Sequence, residues 1–598
     1  MQGELIISKT NKFLEEKVKN KNYILMGEWL LEDFQKEEIK KYNFKIPNPA
    51  SIDRENRKKS YLNCEEIFKN IFNDFYKELN RIHNIELSER AWRIISETWL
   101  KKFIYICYNK KETLDIAVAQ YSIDIVHLRQ NNDFKFFTKD CFGQYDATLN
   151  NDWNSNLYNK IINYFNYNFN INSEMIDSEY INFQSFNEII KNNKRSFVYN
   201  FFKKLLSLNK FFIKNDDALI FRTYLPFKIE KLIEIKLNQL PQLWVEDEIN
   251  FKEFDLDKRR NISFRKKDNS DTSLENFVRE LLPHSLPISF LESFTDIYKK
   301  SGHHKFPKDP KFIFISTGFE HDEILKFYIA RQVDKGKKYF VGQHGSSYFT
   351  QYDANFRSEV NTSDKFFSWG FLEEDKKQVL PVFNLKTFNR KIKADPKGKL
   401  IIVCRSLGHN VETWDKYHEV LNGIKKVSNL MNMMNENIRE KTLVRLHETY
   451  KLDRSNYFLE KFFGNFKSHL EFGDISYNRL IRKGRLICFN YDGTGFLENL
   501  SYNIPSVLIW DGNFNHINEK FEKKYRLLMD ANIIFNDEKE LVNHIENKWE
   551  NIHEWWNSKK VQNSIHEFNK DYNKTGNERD LRGLIQILKN EKNYNYYN

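Results

Sequence analysis

The segment Asn490–Val507 combines glycines, a hydroxyl group and a carboxylate in an order suited to binding a nucleotide. A glycine-bearing loop before a helix lets backbone N–H groups approach an anion, and the helix dipole adds to the attraction. Glu498 lies one helical turn after Thr494, where its carboxylate can accept hydrogen bonds from ribose hydroxyls. The alternative is structural, with Thr494 as an N-cap and Glu498 as a first-turn acid. The predicted nucleotide-binding residues here are Asp492, Thr494, Gly495 and Glu498.

A second polar motif, Gln343-His344-Gly345, follows the apolar run Tyr339–Val341. Histidine titrates near neutral pH, so His344 could act as a general base or donate a hydrogen bond to a phosphate. Gly345 permits a tight turn at this point. A structural histidine is the alternative. We predict a catalytic role for His344 and include Gln343 and Gly345 among the nucleotide-binding residues.

Two carboxylates, Asp322 and Glu323, follow the apolar run that ends at Thr317. A carboxylate after such a strand can deprotonate a hydroxyl group or act as a nucleophile. The alternative is a pair of negative charges at a helix N-terminus, where they interact favourably with the helix dipole. Both residues are predicted as catalytic candidates.

Three basic residues, Arg405, Arg445 and His447, lie at or just after the ends of two further apolar runs. Guanidinium groups bind phosphate and carboxylate through two parallel hydrogen bonds. If the two runs are neighbouring strands, these cations converge beside the glycine-bearing loop. We therefore add all three to the predicted phosphate-binding residues, although each alone could be part of a surface ion pair.

Several common catalytic motifs do not occur in the sequence, namely G-x-x-x-x-G-K-[ST], a strand-borne G-x-G-x-x-G, H-E-x-x-H and G-x-S-x-G. This argues against the common nucleotide hydrolases, dehydrogenases and α/β-hydrolases. Asp255-Leu-Asp257 resembles the D-x-D motif of metal-dependent sugar transferases, but Lys-Arg-Arg follows it and no clear strand precedes it. We therefore expect neither a bound metal nor a cofactor.

The elements that position these residues alternate between strand and helix in the second half of the chain. Apolar runs of four to seven residues are separated by helical stretches, which predicts βαβ units and parallel sheets. The predicted fold is α/β, with two Rossmann-like domains facing a cleft and a helical N-terminal addition. The predicted domains are an extension over 1–60, an α/β domain with helical insertions over 61–385, and an α/β domain with a helical tail over 386–598.

Composition limits the classes of protein that fit the sequence. The chain has 598 residues, of which 40% are hydrophobic and 30% are charged, with a net charge of +11. No run approaches the roughly 18 apolar residues that span a bilayer, and the N-terminus lacks a signal-peptide pattern. The five cysteines are widely spaced, which favours a reduced, cytoplasmic protein. Nucleic-acid binding is an alternative, but the Lys and Arg residues are dispersed and no recognition motif occurs.

The two-domain pattern with the segment Asp492–Pro505 resembles the GT-B glycosyltransferases. Further segments together resemble one bacterial transferase family that occurs with surface-carbohydrate biosynthesis (O-antigen, capsule or nonulosonic acid). These segments are Ile24–Trp29, Ala91–Ile95 with Trp99, Asp322–Lys326, Gly342–Gly345, Phe367–Gly370, Gly493–Glu498, and Trp555-Trp556 with Val561-Gln562. The resemblance runs from about residue 22 to residue 575, and the order and spacing of the motifs are more specific than any one of them.

The resemblance implies a metal-independent glycosyltransferase with a nucleotide-sugar donor and a glycan or lipid-linked glycan acceptor. The predicted nucleotide-binding residues would then hold the donor, and His344 or Asp322 would act at the reacting carbon. A CMP-activated ulosonic acid of the Kdo or nonulosonate type is the favoured donor, with UDP- and GDP-sugars as alternatives. A CDP-alcohol phosphotransferase of the teichoic-acid type shares the architecture. Peripheral contact with the cytoplasmic face of the inner membrane is a further expectation.

Overall fold

The structure is a computed structural model whose strands form three sheets. It describes residues 2–10, 22–34, 39, 42–185, 188, 213–244, 248–264, 272–303, 305–352, 358–373, 375–406, 417–451, 456–510 and 514–589. Within these residues, neighbouring strands of the three sheets are paired in parallel. Parallel strands connected by helices define an α/β fold, and this prediction is confirmed.

The first sheet has the strand order β3-β2-β1-β4-β5. Its strands are β1 Gln2–Ile6, β2 Asn22–Leu25, β3 Asn43–Lys45, β4 Ser122–Gln130 and β5 Asn170–Met175. Its helices are α1 Arg54–His83, α2 Glu89–Gln120, α3 Gly143–Leu149 and α4 Asn151–Tyr164. The two long helices start at local caps, because Asp53 accepts the backbone N–H of Asn56 and Ser88 accepts that of Ala91.

The structure places three strands of the predicted 1–60 extension inside this sheet. The central strand β1 pairs with β2 on one side and with β4 on the other. A boundary at residue 60 would therefore cut a sheet, and the extension is part of the first α/β unit. The strands β1, β2 and β3 are only three to five residues long, and helices α1 and α2 separate them from β4.

The second sheet follows chain order, β10-β9-β8-β7-β6. Its strands are β6 Leu219–Ile220, β7 Phe312–Ile315, β8 Lys338–Gly342, β9 Lys365–Ser368 and β10 Val379–Pro381. The helices of this part are α5 Phe227–Lys236, α6 Leu256–Arg260, α7 Leu274–Ser285, α8 Phe294–His303, α9 Glu323–Asp334 and α10 Ser358–Thr362. Helix α9 ends before Gly336, whose φ of +83° favours glycine. The predicted strand–helix–strand unit is thus confirmed here.

The third sheet has the order β13-β12-β11-β14-β15-β16. Its strands are β11 Lys399–Val403, β12 Thr442–Arg445, β13 Leu470–Glu471, β14 Gly484–Phe489, β15 Ser506–Ile509 and β16 Ile534–Phe535. Its helices are α11 Tyr417–Met433, α12 Glu436–Arg439, α13 Asn456–Phe463, α14 Tyr477–Ile481, α15 Thr494–Ser501, α16 Glu519–Asp530, α17 Glu538–Lys548, α18 Ile552–Trp556, α19 Lys559–Tyr572 and α20 Glu578–Leu588. The order reverses between β11 and β14, and open parallel sheets bind ligands at such a switch point.

Helices of one unit pack against elements of another. Helix α2 packs against α1 of its own unit and against α9 and α10 of the second unit. Helix α20 returns from the third unit, and its residues Leu584 and Leu588 belong to the apolar cluster of Phe314 and Phe340 on the second sheet. The predicted domain 386–598 therefore includes a terminal helix that completes the core of the second unit.

Two further features of the described residues bear on the sequence predictions. No described helix is long and apolar enough to cross a bilayer. All five cysteines are buried and unpaired with one another.

Candidate active site

The second and third sheets meet where the loop after β8 contacts the first turn of α15. The backbone N–H of Ser346 donates a hydrogen bond to Thr494 Oγ1 at 3.0 Å. A Cβ atom at Gly345 would lie 3.3 Å from the same oxygen, so the loop passes close to the helix. Both segments follow the carboxyl end of a parallel strand, which is where such sheets bind ligands. Two motifs predicted separately from the sequence thus lie side by side.

Glu498 lies within this junction and is paired with a lysine of the second unit. The Lys386 Nζ atom is 2.6 Å from Glu498 Oε1, and Glu498 is only 4% exposed. Lys386 also lies 5.6 Å from the centre of the Tyr224 ring. The sequence analysis missed Lys386, because a single lysine five residues after a short strand carries no motif.

The hydrogen bonds of His344 fix which ring nitrogen carries the proton. Tyr348 Oη lies 2.6 Å from His344 Nδ1 and also donates a hydrogen bond to Glu359 Oε1. An ionised carboxylate can only accept, so the single hydroxyl hydrogen of Tyr348 goes to Glu359. The hydroxyl oxygen then accepts the hydrogen bond from His344 Nδ1–H. This assigns the lone pair of the neutral ring to Nε2, which can act as a base.

The electrostatic surroundings keep His344 neutral at pH 7. Burial lowers the pKa of His344, the charge of Glu320 opposes that shift, and the charge of Lys386 adds to it. For Glu320, burial alone would raise the pKa, but the pKa is lowered overall, with the charge of Lys102 and the hydrogen bond from Tyr145 among the causes. A neutral imidazole and an ionised carboxylate therefore lie near each other at neutral pH, and a neutral imidazole suits a general base.

Asp322 lies in the loop that follows the neighbouring strand β7, directly before the first residue of α9. One of its oxygens accepts the backbone N–H of Leu325 at 3.0 Å, which is the predicted capping alternative. Its other oxygen is 3.4 Å from Arg222 Nη1. Arg222 is adjacent in turn to His321, at 3.3 Å from Nε2. Asp322 thus caps a helix and forms an ion pair at the same time.

Backbone strain is concentrated in the two loops that surround His344. The non-glycine residues Arg222, Tyr224, Ser347 and Phe349 have φ values of +52°, +63°, +76° and +63°. Non-glycine residues in this region are strained and are enriched at ligand-binding and catalytic sites. The Tyr224 ring stacks on the His344 ring, with centroids 6.3 Å apart and an interplanar angle of 11°.

The structure does not support the predicted catalytic role of Glu323. Its carboxylate is buried, lies 2.9 Å from Lys326 Nζ, and accepts the backbone N–H of Cys141 at 3.2 Å. Lys326 Nζ is also 2.9 Å from Cys141 Sγ. Glu323 therefore forms a buried ion pair within α9, and its hydrogen bond with Cys141 joins that helix to the first unit. Cys141 is 182 positions away in the chain, so the spacing around Glu323 could not reveal this contact.

Two predicted nucleotide-binding residues form hydrogen bonds within the protein. The side-chain amide of Gln343 donates to the carbonyl of Gly345 and accepts from the backbone N–H of Trp369, at 2.9 and 2.8 Å. It therefore shapes the loop and does not face a ligand. The carboxylate of Asp492 accepts from Gln351 and Tyr525, at 3.0 and 3.3 Å, and joins the second and third units.

The remaining predicted residues are distributed along the edge of the third sheet. Arg445 Nη1 is 2.9 Å from Glu471 Oε2, and His447 is exposed after β12. Gly495 is needed for close packing, since a Cβ atom there would lie 3.1 Å from the hydroxyl of Tyr477. Arg405 pairs with Glu419 at 3.1 Å.

Among the described residues, no group of three or more His, Cys, Asp or Glu side chains is arranged to hold a metal ion. The structure adds Lys386, Tyr348, Glu359, Glu320 and Arg222 to the site. None of these residues was identified from a sequence motif. Each is identified as a site residue only from the side chains that lie next to it in the folded protein.

Comparison with known proteins identifies a family. A family model described as LIC12162 family transferase matches residues 4–588. No curated protein matches the chain significantly. Solved structures with some similarity include Anabaena HepE in complex with UDP and glucose, at 9% identity and a TM-score of 0.32, covering 52% of this chain and 89% of that chain. Another is WaaG, a glycosyltransferase involved in lipopolysaccharide biosynthesis, at 10% identity and a TM-score of 0.26, covering 50% and 95%. The family model confirms the predicted resemblance to a transferase family. The fold is described from the three sheets of this structure and not from the solved structures named above.

Proposed function

Because the chain belongs to the LIC12162 family of transferases, we propose that it is a glycosyltransferase acting between its second and third sheets. It moves a sugar from a nucleotide donor to a glycan acceptor. The observation that carries this proposal is the junction of the His344 loop with the first turn of α15. This junction brings the loop that carries the proposed base beside the N-terminus of α15.

The donor side of the proposed site is the beginning of α15. The helix N-terminus favours a phosphate group, and Thr494 and Gly495 are its first two residues. Glu498 would accept hydrogen bonds from the ribose of the donor, as its position one turn later suggests. Its partner Lys386 is well placed to stabilise negative charge on the departing phosphate, which supports transfer without a metal. Three further donor contacts are proposed on the same edge of the third sheet: Arg405, Arg445 and His447.

The acceptor side is proposed at the carboxyl end of β6. A cavity of about 440 Å³ there is lined by Arg222, Tyr224, Trp244, Thr317 and Arg390 among others. Aromatic rings beside polar and charged groups suit a sugar, which has apolar faces and hydroxyl edges. Arg222 and Tyr224 connect this cavity to Asp322 and His344, as their ion pair and ring stacking indicate. The acceptor hydroxyl would therefore reach the base from this side.

The proposed step is a displacement at the anomeric carbon of the donor sugar. The acceptor oxygen forms a bond to that carbon while the bond from the carbon to the nucleotide phosphate oxygen breaks. The acceptor proton moves to His344 Nε2, and the electron pair of the broken bond leaves with the phosphate. This route inverts the configuration. If the product instead retains the configuration, Asp322 is the nearest candidate for a carboxylate nucleophile.

Within this function we favour a CMP-activated ulosonic acid as the donor. Its leaving group is a nucleoside monophosphate, whose charge Lys386 and the N-terminus of α15 could bind without a metal. Its sugar carries a carboxylate, which the guanidinium group of Arg222 or Arg390 would suit. From the family resemblance we also propose that the acceptor is a surface glycan or a lipid-linked glycan. The enzyme would then act at the cytoplasmic face of the inner membrane.

Nucleotide release from candidate donors tests this proposal. Purified protein is incubated with CMP-, UDP- and GDP-sugars and with a CDP-alcohol, and the products are followed by ³¹P NMR. We expect one class of sugar nucleotide to be cleaved, and His344→Asn to slow that cleavage by about 10²-fold or more because the base is lost. Glu550→Gln, at an exposed carboxylate of the third unit, is the control. Cleavage of the CDP-alcohol alone would assign the phosphotransferase activity instead and contradict the proposal.

A further inference from the structure

A second cavity, of about 390 Å³, lies at the switch point of the third sheet. Arg405 follows β11, Asn490 follows β14 and Trp510 follows β15, and all three line it. Helix α11 forms another wall. The last wall comes from the first unit, because Arg57 of α1 also lines the cavity.

Four buried nitrogen atoms around this cavity have no hydrogen-bond partner among the described residues. They are Arg57 Nη1, His418 Nδ1, Asn490 Nδ2 and Trp510 Nε1. Guanidinium, amide and indole nitrogens can only donate. Buried polar groups are nearly always satisfied, so several orphaned donors around one cavity indicate a ligand rich in acceptors.

The orientation of Asn490 follows from its own hydrogen bonds. Its Oδ1 atom accepts the backbone N–H of Arg405 at 2.8 Å, which leaves the Nδ2 group as the unpartnered end. The whole side chains are deeply buried as well, with Arg57 at 1%, Trp510 at 6% and Asn490 at 7% exposure. Three donors that are more than nine-tenths buried therefore line the cavity.

The charges around the cavity favour an anion. Arg57 and Arg405 both pair with the single carboxylate of Glu419, which leaves one positive charge in excess. Lys426 lines the cavity and pairs with Glu538 outside it. The carboxylate of Asp492 is already engaged by Gln351, Tyr525 and His516. The lining thus carries three arginine or lysine side chains against two carboxylates, which is a net positive charge.

We propose that this cavity binds the phosphate or carboxylate group of a small molecule of sugar or nucleotide size. Arg57, Asn490 and Trp510 would donate hydrogen bonds to the anionic oxygens, with His418 as a fourth contact. The volume exceeds that of a lone phosphate and lies in the usual range for small-molecule pockets. The Trp510 ring and the side chain of Ile52 offer an apolar surface for the remainder of the ligand.

The first unit completes this site through residues around the start of α1. Besides the Arg57 pair, the carbonyl of Ile52 accepts from Asn515, and Arg54 donates to the carbonyl of Phe514. A ligand held by Arg57 together with Asn490 and Trp510 would therefore tie the first unit to the third. The inference rests on the proposed function, because Arg405 is also a proposed donor contact. Anion binding is measured without turnover, so its failure is distinguishable from a failure of glycosyl transfer.

Thermal unfolding of the full chain with three probes tests the site: inorganic phosphate, CMP and N-acetylneuraminate. A probe that binds only the native protein raises the Tm in proportion to its occupancy. We expect Trp510→Phe, which removes the indole N–H together with part of the ring, and Arg57→Lys to weaken binding by about tenfold, since each loses a hydrogen bond to a charged group. A response to phosphate and CMP would identify phosphate as the ligand group, and a response to N-acetylneuraminate alone would identify a carboxylate.

Matched controls separate this site from general effects. Trp555→Phe removes another buried, unpartnered indole N–H, and Arg279→Lys alters another buried, paired arginine. Both should bind the probes as the wild type does. If Arg57→Lys does not fold, Trp510→Phe carries the comparison alone. No stabilisation of the wild type by any probe, or equal responses in Trp510→Phe and Trp555→Phe, would overturn the inference.

Discussion

At the scale of single residues, the chemistry of the site depends on the proton of His344. The hydrogen-bonded chain from Glu359 through Tyr348 assigns that proton to Nδ1 and leaves Nε2 as the base. Neither Tyr348 nor Glu359 touches the proposed substrates, so both are positioning residues. Their contribution should therefore be visible in a pH profile as well as in a rate.

Replacing Tyr348 with Phe tests this arrangement. Because burial lowers the pKa of His344, activity should be full at neutral pH and should fall as the pH drops through that lowered pKa. Tyr348→Phe removes the partner that favours the imidazolium form, so the acid limb should move to lower pH. The value of kcat/KM at pH 7 should drop by about tenfold, because the ring loses its orientation.

The measurement is kcat/KM between pH 5 and pH 9 for the wild type, Tyr348→Phe and the exposed control Tyr180→Phe. An unmoved acid limb with a reduced rate would indicate a merely structural tyrosine. The sequence supplied His344 but not this chain, because Glu359 is fifteen residues away on a separate short helix.

The limits of sequence reasoning at this scale are clear from the carboxylates. Four carboxylates stand near strand ends. The sequence predicted two of them as catalytic and two as nucleotide-binding, namely Asp322 and Glu323, and Asp492 and Glu498. The structure pairs Glu323 with Lys326 and joins Asp492 to Tyr525, whereas Glu498 lies at the junction with Lys386. Which carboxylate stays available to a ligand depends on partners brought by the fold, and no spacing rule encodes those partners.

At the scale of elements, the beginning of α15 is the most informative feature. The sequence offered Thr494 as either an N-cap or a ligand contact. In the structure Gly493 is the N-cap, and the Thr494 hydroxyl accepts a hydrogen bond from Ser346 of the second unit. The side chain thus links two sheets, which neither local alternative had included.

Replacing Thr494 with Val should separate this link from the helix itself. The backbone N–H of Ser346 loses its acceptor, so the free energy of unfolding should fall by about 1 kcal/mol. Because the loop also carries His344, the KM for the donor should rise and kcat should fall. Thr494→Ser keeps the hydroxyl and should behave as the wild type. Denaturant unfolding and steady-state kinetics on the three proteins provide the comparison, and a Val variant with wild-type kinetics would count against the junction as the active site.

Elements with strong local signals were predicted well. The β7–α9–β8 unit has an unbroken apolar strand, a capping Asp322 and a closing Gly336, and it is one of the predicted βαβ units. The first sheet was missed because β1, β2 and β3 are short and their partner β4 lies beyond two long helices. Pairing between distant segments leaves no periodic trace in the sequence.

At the scale of the whole molecule, the C-terminal helix α20 connects the outer units. Leu584 is fully buried in the apolar cluster on the second sheet, although the helix follows the third unit in the chain. Leu584→Ala should lower the free energy of unfolding by about 2 to 5 kcal/mol, because it leaves a cavity in that cluster. Leu240→Ala, at a side chain that is 56% exposed, should change it little. Equal effects in denaturant titrations of the two variants would show that α20 is not needed for the second unit.

The central claim concerns nucleotide binding at the junction of the second and third units. The most direct measurement is the Tm of the wild type, Glu498→Gln and the exposed control Glu550→Gln with CMP, CDP, UDP and GDP. One nucleotide should raise the Tm of the wild type and of Glu550→Gln, and the shift should be lost in Glu498→Gln because the proposed ribose contact is removed. No stabilisation of the well-folded wild type by any nucleotide, or an undiminished shift in Glu498→Gln, would contradict the proposed donor site.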